Sequence, residues 1–279
     1  MREKKSAGLV IMVCLFTLIA AKVNAHNPNN SRTSAVSSIV VLKENERIPG
    51  NATPIESMEL EGNKNATFRD VLEEAKSQAR ASGANLIKIN RHVKRSAGNP
   101  SDKLNVTFYN VEDAHAYEHE MTWQKYRKLT WDDFRGPIPA DADDITAAAT
   151  FCGIGFETNT ISTTNNDLRI KVYNTFYTSH SWVRPEERND RVLAHEQGHF
   201  DLCELYTRKL RQRMNSVQVN VHNLKSTLRN IYEEVQREYR NRQEAYEQET
   251  QHGVVEQEQL RWQRILEREL SFTDALATM

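Results

Sequence analysis

Two histidines four residues apart with a glutamate beside the first, His195-Glu196-Gln197-Gly198-His199, restrict this 279-residue chain more than any other stretch. On an α-helix that spacing stacks the imidazoles one turn apart on one face, where two ring nitrogens converge on a single zinc ion. Glu196 lies about 100° round the helix from His195, within reach of a water at the metal without being a ligand. The flanks agree with a buried metal helix: Val192, Leu193 and Phe200 are apolar, and the gap residues Gln197 and Gly198 are uncharged. Val192, His195, His199, Leu202, Tyr206 and Leu210 also form one helical stripe that suits ordinary core histidines. Burying Glu196 beside that stripe without a metal or a partner is costly, which favours the metal.

The first 25 residues read as an export signal rather than as part of the fold. Arg2, Lys4 and Lys5 precede an apolar run from Ala7 to Ala21, and Val23-Asn24-Ala25 fits a small-residue cleavage site. The run is shorter than the roughly 20 residues that a spanning helix wants, so the expectation is a secreted or periplasmic protein without a membrane span. Acidic and basic residues nearly balance, 38 against 37, and are interleaved, which argues against a nucleic-acid partner. Cys152 and Cys203 remain after signal removal, and either one disulfide or two free thiols fits them.

The remaining chain is expected to be α+β, with a small module ahead of a larger domain of a short antiparallel sheet and long helices. Residues 26–37 are Asn- and Ser-rich and read as a flexible leader. A module over 38–111 follows, with strands at Ser38–Leu42, Ser57–Leu60, Leu86–Val93 and Leu104–Val111 and a helix at Phe68–Ser82, N-capped by Thr67 and followed by Gly83. Within it, Ala75–Ile89 resembles the helix-then-strand of small envelope sensor-like domains that carry an Ala-x-x-x-Gly-Ala-Asn turn. Residues 112–122 are polar and read as a linker; His115 and His119 sit there four apart, but no apolar face accompanies them. In 123–279, strands are expected at Thr146–Thr158 and Leu168–Phe176. A helix opens at Pro185-Glu186 and runs to about Met214, a second carries Leu224 to Tyr246 and ends at His252-Gly253, and a third carries Val255 to Leu270. The two last stripes also allow a dimer through a coiled coil.

Four separated blocks stand in order: Trp131-Asp132-Asp133-Phe134-x-Gly, Ser181-Trp182-Val183, His195 through Leu202, and Tyr246-x-x-x-Thr250-x-His252-Gly253. Together they resemble a bacterial family of unknown function whose members are predicted to be secreted zinc-dependent proteases, zincin-like and of the His-Glu-x-x-His type. The likeness spans about Trp131 to Trp262, and it implies export, one zinc ion and proteolysis.

A hydrolytic zinc takes three protein ligands and keeps one position for water. Glu204 and Asp201 lie about 180° and 240° round the helix from His195, and Cys203 would need one ion to span three turns. The third ligand is therefore sought elsewhere. His252 is the first choice, since it belongs to a block that the resemblance picks out and a helix end aims a side chain freely. It also suits a plain helix C-terminus, where the dipole favours a cation. Glu233 and Glu234 are the alternatives, because many zinc peptidases with this motif take a glutamate from the next helix; His222 and His180 follow. Asp201 reads as a bond to a neighbouring segment or to a ligand. His180 or Tyr246 can serve as the oxyanion donor. The expected activity is hydrolysis of a peptide or protein substrate with Glu196 as general base. An envelope scaffold with a structural metal site and a zinc amidase acting on cell-wall peptides are the competing readings.

Overall fold

A computed structural model describes residues 39–63, 66–96, 101–143, 145–162, 167–216 and 223–277. The stretches expected to be an export signal and a flexible leader, and His222, lie outside the described residues. The chain is α+β, and its described residues divide into two compact units, one within 39–119 and 158–171, the other within 120–157 and 172–277.

In the first unit, alternation in the sequence decides which face each strand residue takes. Strands β1 (Val40–Leu42), β2 (Thr53–Glu61), β3 (Leu86–Val93) and β4 (Lys103–Asn110) form one sheet in the order β1-β3-β4-β2, with β1 parallel to β3 and the other pairs antiparallel. Ile39, Ile87, Ile89, Leu104, Val106 and Phe108 join Val71, Leu72, Ala75 and Ala79 of helix α1 (Phe68–Ala81) in one core, whereas Val40, Leu42, Leu86 and Val111 make a second cluster. That is the two-residue period of a sheet covered on both faces. Thr67 caps α1 as expected: its hydroxyl accepts from the Asp70 amide, and the Asp70 carboxylate accepts from the Thr67 amide at 2.8 Å. Gly83 takes φ +77° just past the helix, and Asn85 then clamps both backbone groups of Val111, at 2.7 and 3.0 Å. Strand β2 begins four residues before the expected Ser57. It is an edge strand whose first five residues are exposed, with an irregular register between Pro54 and Glu56, so apolar alternation shows only at Met58 and Leu60.

The second unit is built on three long helices, α2 (Asp190–Ser216), α3 (Leu224–Thr250) and α4 (Glu256–Ala277), with α2 packed on both others. Leu202, Leu205, Tyr206, Leu210 and Met214 of α2, Tyr232, Val235, Tyr239 and Tyr246 of α3, and Trp262, Leu266 and Leu270 of α4 are all buried. These members of the two apolar stripes are thus covered within the chain, while Leu224, Ile231, Val255 and Ile265 are half-buried. The stretch read as a linker holds a short 3-10 turn at His115–Tyr117 and strand β5 (Glu120–Met121), which pairs antiparallel with β8 (Asp167–Tyr177).

Two boundaries differ from the expected ones for local reasons. The strand expected over Thr146–Thr158 is split into β6 (Ala148–Ala149), which pairs with β9 (Trp182–Val183), and β7 (Cys152–Ser162), which pairs with β8. Between them the Phe151 amide bonds the Ser181 hydroxyl at 2.9 Å. The helix expected from Pro185 is only a 3-10 turn, Pro185–Glu187; α2 starts afresh at Asp190 because the Asn189 side chain accepts from the Val192 amide at 3.0 Å. No helix among the described residues is long and apolar enough to cross a membrane.

Candidate functional site

Helix α2 places His195, Glu196 and His199 in its second and third turns, capped by Asn189. The two imidazoles meet as their spacing requires, with Nε2 atoms 3.2 Å apart and rings at 87°. His195 and Glu196 are buried and His199 is half-buried. Gly198 is needed here, because a Cβ at that position would overlap the Tyr246 hydroxyl. Its absence lets the Tyr246 ring lie flat on His195, centroids 4.8 Å apart and 14° between planes.

The last turns of α3 supply the third side. Glu247 Oε1 stands 2.9 Å from His199 Nε2, and its Oε2 stands 3.4 Å from His195 Nε2. Each ring is also held from behind. His195 Nδ1 bonds Gln259 Oε1 of α4 at 3.1 Å, and His199 Nδ1 bonds Gln243 Oε1 of α3 at 2.7 Å. A carboxamide oxygen only accepts, so both Nδ1 atoms carry the hydrogen and both Nε2 atoms face the cluster. The glutamine amides are anchored in turn, Gln259 on Tyr246 Oη at 2.8 Å and Gln243 on Tyr239 Oη at 2.7 Å. His195, His199 and Glu247 thereby offer ligand atoms that all lie within 4.8 Å of one another.

Opposite charges stabilise this cluster. Burial works to lower the basicity of His199, but the Glu247 carboxylate outweighs it through charge and hydrogen bond, with help from Glu196 and Gln243, and the pKa rises to about 10. Glu247 shifts the other way: burial pushes it up, and His199 and His195 bring it far below the usual carboxylate range. Glu196 is the exception in this well-bonded surrounding. Its Oε2 is buried and has no hydrogen-bond partner, an orphaned acceptor beside two imidazoles.

The backbone past α3 is unusual. Gln251, His252 and Gly253 have φ of 47°, 59° and 79°, three left-handed residues in a row of which two carry side chains. The turn folds His252 back so that its Nδ1 bonds Glu247 Oε2 at 2.7 Å. It also lays Gly253 on His195, where a Cβ would come 2.9 Å from the ring Cγ.

The expected site residues distribute as follows. His195, Glu196 and His199 come together, and His252 reaches the cluster through Glu247. Glu233 and Glu234 are exposed on α3, about 20 Å along the axis from Glu247 at 1.5 Å per residue. Tyr246 is buried and donates to the His195 carbonyl at 3.0 Å. His180 is exposed and stacks on Phe151 at 5.2 Å, with Ser179 at its Nδ1. Asp201 bonds a neighbouring segment, accepting from Trp123 Nε1 at 2.6 Å and Gln197 Nε2 at 2.8 Å. Cys152 and Cys203 are free thiols. Glu204 bonds Arg208 Nε at 2.6 Å and Asn174, away from the imidazoles. Glu247, Gln243 and Gln259 are not among the residues that spacing selects. The available signal for Glu247 was its place beside Tyr246 and four past Gln243, on the inward side of α3.

The model of a family described as a bacterial protein of unknown function (DUF922) matches residues 177–253, which include both halves of the cluster on α2 and α3. No curated protein and no solved structure matches the chain.

Proposed function

We propose that this chain is an exported zinc-dependent hydrolase that cleaves peptide bonds, with His195, His199 and Glu247 as ligands of one zinc ion and Glu196 as general base. The observation that carries the reading is the convergence of two Nε2 atoms and a carboxylate oxygen, with each Nδ1 turned onto a glutamine oxygen. Two imidazoles and one carboxylate are a donor set that suits a hydrolytic zinc. The unpartnered Glu196 Oε2 gives the second support, since a buried carboxylate oxygen facing no donor is placed to accept a proton.

When bound, zinc polarises the substrate carbonyl and acidifies water so that attack proceeds near neutral pH. Glu196 takes the proton from the attacking water and delivers it to the leaving nitrogen. Gln259 and Gln243 hold the two rings in one tautomer and orientation, so that neither has to reorganise during the reaction. A structural zinc would take a fourth protein ligand; among the described residues this cluster comprises three ligand residues, and His252 is engaged with Glu247 rather than added to them.

The test pairs metal analysis with cleavage of a denatured protein and of cell-wall peptides. Wild type is expected to bind one zinc and to cut a denatured protein, and Glu196→Gln to keep the zinc and lose at least about 100-fold in rate. Unchanged cleavage by Glu196→Gln removes it from the mechanism, and cleavage of cell-wall peptides alone makes the enzyme an amidase.

A further inference from the structure

We infer that His252 is a positioning residue that grips one oxygen of Glu247, so that the carboxylate meets the metal through its other oxygen alone. This rests on the zinc site proposed above and concerns how that site keeps a position open for water.

The case begins with backbone strain. A helix ordinarily ends in a single left-handed residue, usually glycine. Here Gln251 and His252 both take positive φ before Gly253 does, a backbone region that side-chain-bearing residues occupy only at a cost. The strained turn accomplishes one thing for the cluster. The His252 amide donates to the Glu247 carbonyl at 2.9 Å, which returns the His252 side chain to Glu247, and Nδ1 then meets Oε2 at 2.7 Å. A histidine serving only the helix dipole would aim at the terminal carbonyls; this one aims at the carboxylate.

The consequence follows from the two oxygens. Oε1 is the nearer to His199 Nε2, at 2.9 Å, while Oε2, 3.4 Å from His195 Nε2, is engaged more closely by His252, at 2.7 Å. With Oε2 held, rotation of the carboxylate about its last bond is blocked and Oε1 is the free ligand atom. Without the grip, both oxygens turn to the metal and take the space that an attacking water needs.

The experiment compares wild type with His252→Gly, His252→Asn, His252→Ala and Glu247→Gln, each checked for folding by circular dichroism. Zinc affinity is read by chelator competition, and coordination by the visible absorption of the Co2+-loaded proteins. Glycine keeps the left-handed backbone and removes the donor, whereas asparagine tolerates the same φ and places an N–H close to where Nδ1 stood. His252→Gly is expected to weaken zinc binding roughly 10- to 100-fold and to dim the cobalt bands as the coordination number rises; His252→Asn is expected to recover both to within about threefold. His252→Ala supplies the donor-less comparison should the glycine variant misfold. Wild-type affinity and cobalt bands in the donor-less variants, or an asparagine variant as impaired as the glycine one, would overturn the inference. Failure of the site itself has a different signature: a wild type that binds no zinc, or a Glu247→Gln that binds it undiminished.

Discussion

Gly198 shows how much a single residue settles in this site. It stands between the two imidazoles with nothing but hydrogen toward α3, and the Tyr246 hydroxyl fills the place of its missing side chain. Gly198→Ala forces Tyr246 off His195 and strains the pocket, so a loss of about 1–3 kcal/mol is expected, read as a lower midpoint in urea. Zinc affinity should fall with it; a variant with unchanged midpoint and affinity would show that the tyrosine has room to retreat. At this scale the sequence is half legible. His195, Glu196 and His199 declare themselves because helical geometry alone brings them together. Glu247 does not, since 48 residues separate it from His199 and only the crossing of α2 with α3 joins them. The expected His252 lies one bond further out, and the expected glutamates of α3, Glu233 and Glu234, stand on its exposed face. Nothing in local spacing distinguishes one acidic residue of a charged helix from another.

Elements were readable in proportion to how strongly local rules fix them. Helix α1 appears where its cap and its terminal glycine place it, because the Thr67-Asp70 pair is a purely local device. The Asp70 carboxyl is held below its usual value: burial would raise it, but bonds from the Thr67 amide, Lys171 and the Thr67 hydroxyl prevail. A carboxyl depressed in the folded state stabilises above its unfolded pKa, and that contribution disappears as the pH falls through the folded value. Asp70→Asn is therefore expected to cost about 1 kcal/mol at pH 7 and nothing once the pH is well below 3.8, measured as converging urea midpoints. Parallel curves down to that pH would assign the loss to something other than the charge. The start of α2 was less legible, because Pro185 and Asn189 are both valid helix openings. The structure uses the first for a 3-10 turn and the second for the helix. The start of strand β2 was hidden for the opposite reason, since Thr53 to Ser57 are all exposed and only Met58 and Leu60 turn toward the core.

Across the whole molecule, all of the cluster lies in the unit that holds the three long helices. A ligand that binds only folded protein stabilises the part it binds, by about 2.7 kcal/mol at a concentration 100 times its Kd. Calorimetry with and without zinc is thus expected to show two transitions of which one moves upward with the metal; both moving equally, or neither, would contradict a site confined to one unit. The α+β class was visible in the changes of period along the chain. The exact division was not, because residues 158–171 belong with the first unit although they follow the start of the second in sequence. Strand pairings between distant segments carry no signal in either segment alone.

Gln259, on the last helix, is what fixes the His195 ring, and this sets an order of events when the protein is made. A ribosome delivers α2 long before α4, so a nascent chain displays its histidine pair while the amide that orients one of them is still being polymerised. The pair of rings therefore takes its final orientation only after α4 has followed α2 and α3 into place.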